Sequence, residues 1–288
     1  MKKQIGFVGL GKMGRPMVQR LKQEGWNVFT FDKNIKSTAR TLVELVEQLP
    51  PPRIIWLMLP AGRPVDEALS KLIPALKKGD VVIDGGNSFF KDSVRRAAKL
   101  KKKDIHYLDT GISGGPVSIK QGRFAIMVGG EKRVYKKTRP LFQDLSGTPS
   151  GYMGESGAGH FAKMIHNGIE YGMMQSLAEG FAVLQKAPFT FRLRDVAKVY
   201  NQNSIITSRL TEWLEQGLAK YGEDLKEASG KVSHTGEGEW TVKTAKELHV
   251  QASVIKDAFN FRVKSQKKPS FTGKILSTLR AVFGGHKI

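Results

Sequence analysis

The chain of 288 residues contains no cysteine, which excludes disulfides, a thiolate nucleophile and any metal site built on cysteine. It has no run of about 18 apolar residues, so we expect no membrane-spanning helix. Its six histidines do not fall at metal-ligand spacing, and we expect no structural or catalytic metal. The first residues lead directly into a strand-like segment without the apolar region of a signal peptide, which predicts a cytoplasmic protein.

Acidic residues are scarce beside basic ones, with 26 Asp and Glu against 47 Lys and Arg and a net charge of +21. Such a charge can steer an anionic substrate or cofactor, bind nucleic acid, or simply belong to a solvated basic surface. The basic residues are spread over several segments and are not interleaved with aromatic residues. Nucleic-acid binding is therefore the remotest function that we consider.

The N-terminal half alternates short apolar strands with helices, which is typical of a doubly wound parallel sheet. The first predicted strand, residues 4–9, leads into a Gly-x-Gly-x-x-Gly turn and then into a helix. In this context the pattern predicts a dinucleotide-binding turn, because its glycines let the backbone approach a pyrophosphate at the helix N-terminus. The residues of this turn are Gly9, Leu10, Gly11, Lys12, Met13 and Gly14.

The second predicted strand, residues 27–32, ends at Asp32. A carboxylate at this point accepts hydrogen bonds from the adenosine ribose and repels a 2′-phosphate, which favours NAD over NADP. Lys33, Lys36 and Arg40 follow closely, and a basic residue there can instead hold the phosphate of NADP. A turn residue or helix cap is the alternative interpretation of Asp32.

Further strands are predicted at residues 53–59, 80–84, 106–109 and 124–129. Open α/β sheets bind their ligands at the carboxyl edge of the strands. Two loops expected at this edge, residues 85–88 and 111–116, are rich in glycine and polar residues. We expect their backbone groups to form hydrogen bonds with an oxygen-rich ligand.

After residue 156 the alternation stops, and helices are predicted at residues 157–186, 192–201, 206–220 and 247–265. We therefore predict two domains. Residues 1–156 form an α/β domain with a Rossmann-type doubly wound sheet that binds NAD or NADP. Residues 157–288 form an all-α domain for substrate binding and oligomerisation.

One face of the helix predicted at 157–186 carries five polar residues within an arc of about 140°, which are Lys163, His166, Asn167, Glu170 and Tyr171. A lysine and a glutamate on the same face can act as a base and an acid on one ligand. The alternative is an ordinary solvated face with a charge pair. Glycine is unfavourable inside a helix, so Gly168 and Gly172 indicate that something packs very close to this segment.

Together these segments resemble the decarboxylating 6-phosphogluconate dehydrogenases. The resemblance covers most of the chain and is most specific at residues 159–171. The chain looks like the short form of this family, which is often NAD-linked. The resemblance implies oxidative decarboxylation of a phosphorylated sugar acid, 6-phosphogluconate, to ribulose 5-phosphate and CO2, in the pentose phosphate pathway and gluconate utilization. The motifs are residues 9–14, 84–88, 111–115 and 159–171.

The resemblance also implies roles for individual residues. Lys163 matches the general base, Glu170 the general acid, and Asn167 assists them. The implied substrate-binding residues are Asn87, Ser113, Gly114, Gly115, His166, Asn167, Tyr171, Arg262, Arg280 and His286, of which Tyr171 and Arg262 match phosphate ligands. The implied cofactor-binding residues are the glycine-rich turn with Asp32, Lys33, Leu59, Pro60, Ala61 and Asn87.

Arg280 and His286 match a C-terminal tail that, in the family, reaches the site of a neighbouring subunit, which implies a homo-oligomer, either a dimer or a tetramer. The chain departs from the family pattern at Thr235 and Pro60, where other members carry a lysine. His234 or Lys231 could take the place of the first lysine. The nearest alternative function is that of an enzyme with the same fold acting on an unphosphorylated acid such as 3-hydroxyisobutyrate.

Overall fold

The computed structural model of the chain describes residues 2–288. It separates into two compact units, one ending at Met164 and the other comprising Ile165–Ile288. Buried apolar clusters occur in both units. The fold is the expected combination of a Rossmann-type N-terminal sheet and an all-α C-terminal part.

The first unit is built on a seven-stranded sheet in the order β2-β1-β3-β4-β5-β6-β7. All neighbouring strands are parallel except β5 and β6, which are antiparallel. The predicted doubly wound sheet is thus confirmed, with β7 as an additional strand. The strands are β1 (Gln4–Val8), β2 (Asn27–Phe31), β3 (Ile54–Leu57), β4 (Val81–Asp84), β5 (His106–Ser113), β6 (Ala125–Gly130) and β7 (Gly151–Gly154).

Helices cover both faces of this sheet. The helices are α1 (Gly14–Gln23), α2 (Leu42–Glu47), α3 (Arg63–Leu72), α4 (Phe90–Lys101), α5 (Pro116–Lys120) and α6 (Lys132–Ser146). Strand β3 shows how the two cores form, because Ile54 and Trp56 enter one cluster while Ile55 and Leu57 enter the other. Alternate side chains of a strand point to opposite faces, so a strand buried on both faces is apolar throughout.

The second unit is helical. Helix α7 (Ala158–Lys186) begins in the first unit and continues into the second, and its residues Met174 and Phe181 belong to the second unit's core. The remaining helices are α8 (Leu193–Tyr200), α9 (Arg209–Tyr221), α10 (Glu237–Glu247), α11 (Ser253–Ser265) and α12 (Phe271–Gly284). In the described part of the chain, no helix is both long and apolar enough to cross a membrane.

Two local predictions were wrong. The loop expected at residues 111–116 is mostly regular structure, because β5 extends to Ser113 by pairing with Ala125 of β6 and α5 starts at Pro116. The helix expected at 247–265 is the end of one helix and the whole of the next. His249 adopts a left-handed conformation (φ 56°) between α10 and α11, and this break ends the first helix.

Candidate active site

The glycine-rich turn after β1 contains glycines of two kinds. A Cβ atom at Gly9 would overlap the carbonyl oxygen of Met58, and one at Gly14 would overlap the carbonyl oxygen of Gly9. Gly11 is different, because it is exposed and a Cβ there would meet no atom within 4 Å. Packing within the protein therefore explains why glycine is needed at Gly9 and Gly14, but it does not explain Gly11. A glycine at this exposed point of the turn suits the close approach of a ligand to the backbone.

This turn lies at the point where the sheet order reverses, since β2 and β3 flank β1 on opposite sides. Helix α1 begins directly after the turn, and its N-cap residue Met13 makes no side-chain hydrogen bond to the helix. Of the first residues of α1, Arg15 donates its N–H to Gly11 O at 3.2 Å and Pro16 has no N–H, so the helix terminus itself offers few donors to an anion. Gly11, Lys12 and Met13 together fit the pyrophosphate of a dinucleotide.

Asp32 follows β2 and organises the neighbouring backbone. Its Oδ2 accepts a hydrogen bond from Leu10 N at 2.7 Å, and its Oδ1 accepts from Asn34 N at 2.8 Å and Ile35 N at 3.1 Å. Asp32 is therefore a turn residue, as in the alternative interpretation. A carboxylate has about four acceptor sites, so a ribose hydroxyl can still be bound.

A cleft of about 680 Å³ opens beside Asp32, and its lining includes Lys36 and Arg40. Lys33 has its Nζ 3.9 Å from the carboxylate of Glu67. The structure thus places two of the three nearby cations, Lys36 and Arg40, in one cleft with Asp32. With this arrangement, the cleft can bind either a ribose through Asp32 or a 2′-phosphate through Lys36 and Arg40.

The segment after β3 packs against the turn after β4. A Cβ at Gly86 would lie 2.5 Å from the carbonyl oxygen of Leu59, so glycine is needed for this approach. Leu59 is half-buried, whereas Pro60, Ala61 and Asn87 are exposed. The structure therefore brings these four candidate residues to neighbouring loops at the carboxyl edge of the sheet.

The turn that carries Asn87 is fixed by the buried carboxylate of Asp84. It accepts hydrogen bonds from Gly86 N at 3.2 Å, Ser88 Oγ at 2.8 Å and Tyr107 OH at 2.9 Å. Burial, together with the charge of Asp84, raises the pKa of Tyr107 well above its usual value, so the phenol stays a donor. Sequence reasoning missed this role, although an aspartate ending a wholly apolar strand was the available signal.

Lys163 is positioned by the start of α7. The carboxylate of Asp109 on β5 accepts hydrogen bonds from Gly157 N at 2.7 Å and His160 N at 2.8 Å, which holds the helix N-terminus on the sheet. Further along β5, a Cβ at Gly111 would overlap the Cβ of Lys163. The lysine is 7% exposed and lies directly against the strand.

Ser113 lies two residues beyond Gly111 on the same strand, about 6.6 Å further along and on the same face. Gly114 and Gly115 form the short connection from β5 to α5. The first unit thus brings Ser113 to the side of β5 on which Lys163 packs. The predicted substrate loop therefore begins beside the predicted base.

The two glycines inside α7 have a structural explanation. A Cβ at Gly168 would lie 2.6 Å from Thr241 Cγ2 of α10, and one at Gly172 would lie 3.2 Å from Val254 Cγ1 of α11. Something does pack closely on this helix, as predicted, but it is the neighbouring helices. These glycines therefore give no support for a ligand site.

The polar face of α7 continues into the second unit. The Nδ1 of His166 lies 3.2 Å from Asn167 Oδ1 and 3.7 Å from Glu170 Oε2, and all three side chains are partly exposed. Glu170 follows Lys163 by nearly two helical turns, a rise of about 10.5 Å along the axis.

A second group of candidate residues surrounds Tyr171. The guanidinium carbon of Arg262 lies 3.4 Å from the centroid of the Tyr171 ring, and a Cβ at Gly238 would overlap the edge of the same ring. Tyr171, Arg262 and Arg280 are only 6%, 2% and 7% exposed. We call Arg262 and Arg280 the arginine pair.

The arginine pair is poorly neutralised. Burial lowers the pKa of Arg262 to about 10, and the charge of Arg280 contributes to this lowering. Burial also lowers the pKa of Arg280, against the longer-range attraction of Glu237 and Glu170. Within residues 2–288, neither arginine forms an ion pair with a carboxylate.

The hydrogen bonds of the arginine pair go to neutral groups. Arg280 Nη1 donates to Ser233 Oγ at 2.6 Å, and Arg262 Nη2 lies 3.6 Å from Met174 Sδ, a weak acceptor. Two buried cations without an anionic partner are unfavourable in an isolated chain. The arrangement is chemically suited to bind an anion with several oxygen atoms.

Not every candidate residue joins this group. Thr235 donates a hydrogen bond from Oγ1 to Glu237 Oε2 at 2.5 Å, whereas the ring of His234 packs on Phe259 with centroids 5.1 Å apart. Lys231 and His286 are exposed, and His286 follows the end of α12. The structure therefore groups Tyr171, Arg262 and Arg280, while the ring of His234 packs elsewhere and the side chain of Lys231 is exposed.

Comparisons with known proteins agree with these features. Residues 4–154 match the NAD binding domain of 6-phosphogluconate dehydrogenase, and residues 159–279 match the 6-phosphogluconate dehydrogenase C-terminal domain. Bacillus subtilis YqeC, provisionally named a 6-phosphogluconate dehydrogenase, is 41% identical over 98% of both chains. The NAD(+)-dependent decarboxylating 6-phosphogluconate dehydrogenase of Haloferax volcanii is 38% identical over 99% of this chain and 98% of its own.

Solved structures give the same picture of the fold. A 6-phosphogluconate dehydrogenase of Plasmodium falciparum is 29% identical with a TM-score of 0.79, over 92% of this chain and 62% of that one. The 3-hydroxyisobutyrate dehydrogenase of Mycobacterium tuberculosis has a TM-score of 0.78 over 98% of this chain and all of its own, but at 20% identity this likeness concerns the fold alone. The protein is an NAD(P)-dependent oxidoreductase, and its chain belongs to the 6-phosphogluconate dehydrogenase family.

Proposed function

We propose that the protein oxidatively decarboxylates 6-phosphogluconate to ribulose 5-phosphate and CO2 with reduction of NAD. The observation that carries this proposal is the buried arginine pair beside Tyr171. A phosphorylated sugar acid has a distal phosphate that such a group can bind, whereas a small unphosphorylated 3-hydroxy acid has none. The phosphate contacts would fix the far end of the substrate and leave its reacting carbons to the polar face of α7.

Lys163 is the proposed base. A lysine accepts a proton only in its neutral form, and Lys163 lies buried against β5. Lys163 takes the proton of the C3 hydroxyl, and NAD, held by the glycine-rich turn and Asp32, would supply the acceptor for the hydride of C3. As an ammonium ion Lys163 then donates to the C3 carbonyl oxygen and stabilises the enolate that forms when C1 leaves as CO2.

Glu170 is the proposed acid that protonates the former C2 of the sugar acid, now C1 of the five-carbon enediol, to give ribulose 5-phosphate. His166, 3.7 Å from Glu170, and Asn167 orient the substrate between the two catalytic groups. Asn87, Ser113, Gly114 and Gly115 bind the sugar acid from the carboxyl edge of the sheet.

NAD is the proposed cofactor because Asp32 ends β2 and retains acceptor capacity. The Haloferax volcanii relative, 38% identical, is named as NAD(+)-dependent. Lys36 and Arg40 in the same cleft support NADP as the alternative. Gly11, Lys12 and Met13 would hold the pyrophosphate of either dinucleotide.

We further propose a homo-oligomeric enzyme of the cytoplasmic pentose phosphate pathway. Exposed apolar side chains on α7 support self-association, since Ile169, Met173 and Val183 are 51%, 49% and 71% exposed in the single chain. The size of the oligomer, dimer or tetramer, is readable from light scattering.

The test is to measure initial rates with 6-phosphogluconate and either NAD or NADP, following both reduced cofactor and released CO2. Reduction with stoichiometric CO2, faster with NAD, supports the substrate and the cofactor. A faster reaction with NADP would leave the proposed reaction unchanged and would indicate that Lys36 and Arg40 bind the 2′-phosphate of the cofactor. Turnover of 3-hydroxyisobutyrate in preference to 6-phosphogluconate would overturn the proposal.

A further inference from the structure

We propose that Ser93 and His160 are positioning residues, whose buried hydrogen bond fixes the turn that carries Asn87 relative to the helix that carries Lys163. The family resemblance assigns a role to neither residue. The inference rests on the proposed function only for the reaction itself, because it concerns how a cofactor turn and a base are held around one substrate carbon.

The two side chains are enclosed by protein. Ser93 on α4 and His160 on α7 are 0% and 1% exposed, and Ser93 Oγ lies 2.7 Å from His160 Nδ1. Within residues 2–288, the other ring nitrogen of His160, Nε2, is buried and has no hydrogen-bond partner. Ser93 is therefore the polar contact that orients the imidazole ring, and loss of its hydroxyl would leave the buried ring unpaired.

This hydrogen bond joins the starts of two helices that pack closely. A Cβ at Gly157, just before α7, would lie 2.7 Å from Val94 Cγ2 of α4. The rings of Phe90 and Phe161 meet edge to face, with their centroids 5.0 Å apart. Apolar packing of this kind is non-directional, whereas a hydrogen bond depends on both distance and angle. The hydrogen bond therefore sets the position of one helix along the other.

Helix α4 also holds the turn that carries Asn87. Arg96 follows Ser93 by nearly one helical turn, and its Nη1 donates to Ser88 Oγ at 3.1 Å, next to Asn87. Helix α4 thus contacts the proposed cofactor and substrate turn through Arg96 and the start of α7 through Ser93. The positions of this turn and of α7 are therefore coupled through one helix.

Helix α7 extends this coupling to the base. Lys163 follows His160 by three residues, so the two side chains are neighbours on one side of the helix. The proposed reaction removes a proton from the C3 hydroxyl and a hydride from C3, so the base and the cofactor must approach the same group from set directions. A misplacement of about 1 Å can lower turnover by about 10²-fold. Holding Asn87 and Lys163 in register therefore contributes to kcat.

The test separates positioning from stability with Ser93→Ala, His160→Leu and the double variant. Each single change leaves a buried polar group without its partner, so the melting temperature should fall. In the double variant both polar groups are gone, and most of the lost stability should return. We expect kcat for 6-phosphogluconate to stay about 10- to 100-fold below the wild type in all three, with unchanged KM values for 6-phosphogluconate and NAD. Recovery of kcat together with stability in the double variant would overturn the inference.

Two further variants isolate the hydrogen bond. His160→Asn places an amide group close to the position of Nδ1, so it should restore kcat to near the wild-type value, and a failure to restore it would overturn the inference. Phe161→Leu is the matched control, since it weakens the same helix contact and leaves the hydrogen bond intact. A fall in kcat as large as that of Ser93→Ala would show that helix packing in general controls turnover, which would also overturn the inference.

A readout without substrate separates this inference from the proposed function. Lys163 is 7% exposed, so acetic anhydride should label its amine slowly in the wild type. Mass spectrometry should show a changed labelling rate of Lys163 in the double variant and a wild-type rate in Phe161→Leu. A failure of the proposed function would instead appear as no turnover of 6-phosphogluconate by the wild type. An unchanged labelling rate in the double variant would overturn the inference, whatever acid the enzyme oxidises.

Discussion

The first unit buries two arginines against carboxylates, whereas the second buries two arginines without one. Arg53 is 9% exposed and its Nη1 lies 3.1 Å from the wholly buried Asp80. Arg96 is 1% exposed and bonds to Asp66 at 2.9 Å and to Asp84 at 3.4 Å. These ion pairs hold helices and turns against the sheet, and they neutralise the charges of both arginines.

Arg262 and Arg280 are equally buried but meet a hydroxyl and a thioether instead of a carboxylate. Their lowered pKa values are the physical sign of this difference, since burial disfavours a charge that no partner compensates. Residue type and burial alone therefore do not separate the two sets of arginines, whereas the presence or absence of a carboxylate partner does.

The largest effect should come from Lys163→Ala, a substitution that changes neither pair of buried arginines. We expect kcat to fall by about 10²- to 10⁴-fold because the base is lost. NAD affinity, measured by fluorescence titration, should stay unchanged, as should the binding of inorganic phosphate. Wild-type turnover by this variant would contradict the assignment of the base.

Removing the carboxylate of Asp80 tests whether the paired arginines of the first unit stabilise the fold. Asp80→Ala leaves Arg53 buried and unpaired, so we expect the free energy of unfolding to fall by about 3–5 kcal/mol. Urea unfolding provides the measurement. Lys78→Ala is the control, because Lys78 is 82% exposed and its ion pair with Asp104 should contribute less than about 1 kcal/mol.

Arg262→Met tests whether the arginine pair of the second unit binds the substrate and does not stabilise the fold. Replacing an uncompensated buried cation by an apolar side chain should leave the free energy of unfolding unchanged or raise it. The KM for 6-phosphogluconate should rise by about 10- to 100-fold, since hydrogen bonds to a charged group contribute about 1.5–3 kcal/mol. Steady-state kinetics and urea unfolding on the same preparation check both parts. A large loss of stability would place Arg262 with the structural arginines.

The smallest effect is the stabilisation of the wild-type protein by inorganic phosphate. At a concentration ten times its Kd, phosphate should add about 1.4 kcal/mol to the free energy of unfolding. Arg262 binds the anion as a cation, so the gain should be present below its pKa of about 10 and fade as the pH rises past that value. Thermal melts in phosphate and in chloride of equal ionic strength measure the gain. The same shift in Arg262→Met would contradict this account.

The parts of the fold and site that could be predicted from sequence are local. The turn of residues 9–14 and the polar face of α7 each depend on neighbours along the chain, so spacing alone predicts them. Strand β7 was missed because its four residues include two glycines and carry little strand signal. Helix α10 was missed because its polar, threonine-containing sequence lacks a clear apolar face.

The interactions that position the site are long-range, which is why sequence could not show them. Asp109 holds the start of α7 across 48 residues of chain, and Asp84 is bound by Tyr107 from the adjacent strand. The resemblance pointed to Arg262 and Arg280 as ligands. Only the three-dimensional structure shows that both lie beside Tyr171 in one chain and lack a carboxylate partner.

The most direct test is the ratio of kcat/KM for 6-phosphogluconate to kcat/KM for gluconate, measured in the wild type and in Arg262→Met. The two substrates differ only in the phosphate group that the arginine pair is proposed to bind. We predict a strong preference for 6-phosphogluconate in the wild type that falls sharply in the variant, mainly through KM. Equal use of both substrates by the wild type, or a preference that survives in the variant, would contradict the assignment of the arginine pair to the substrate phosphate.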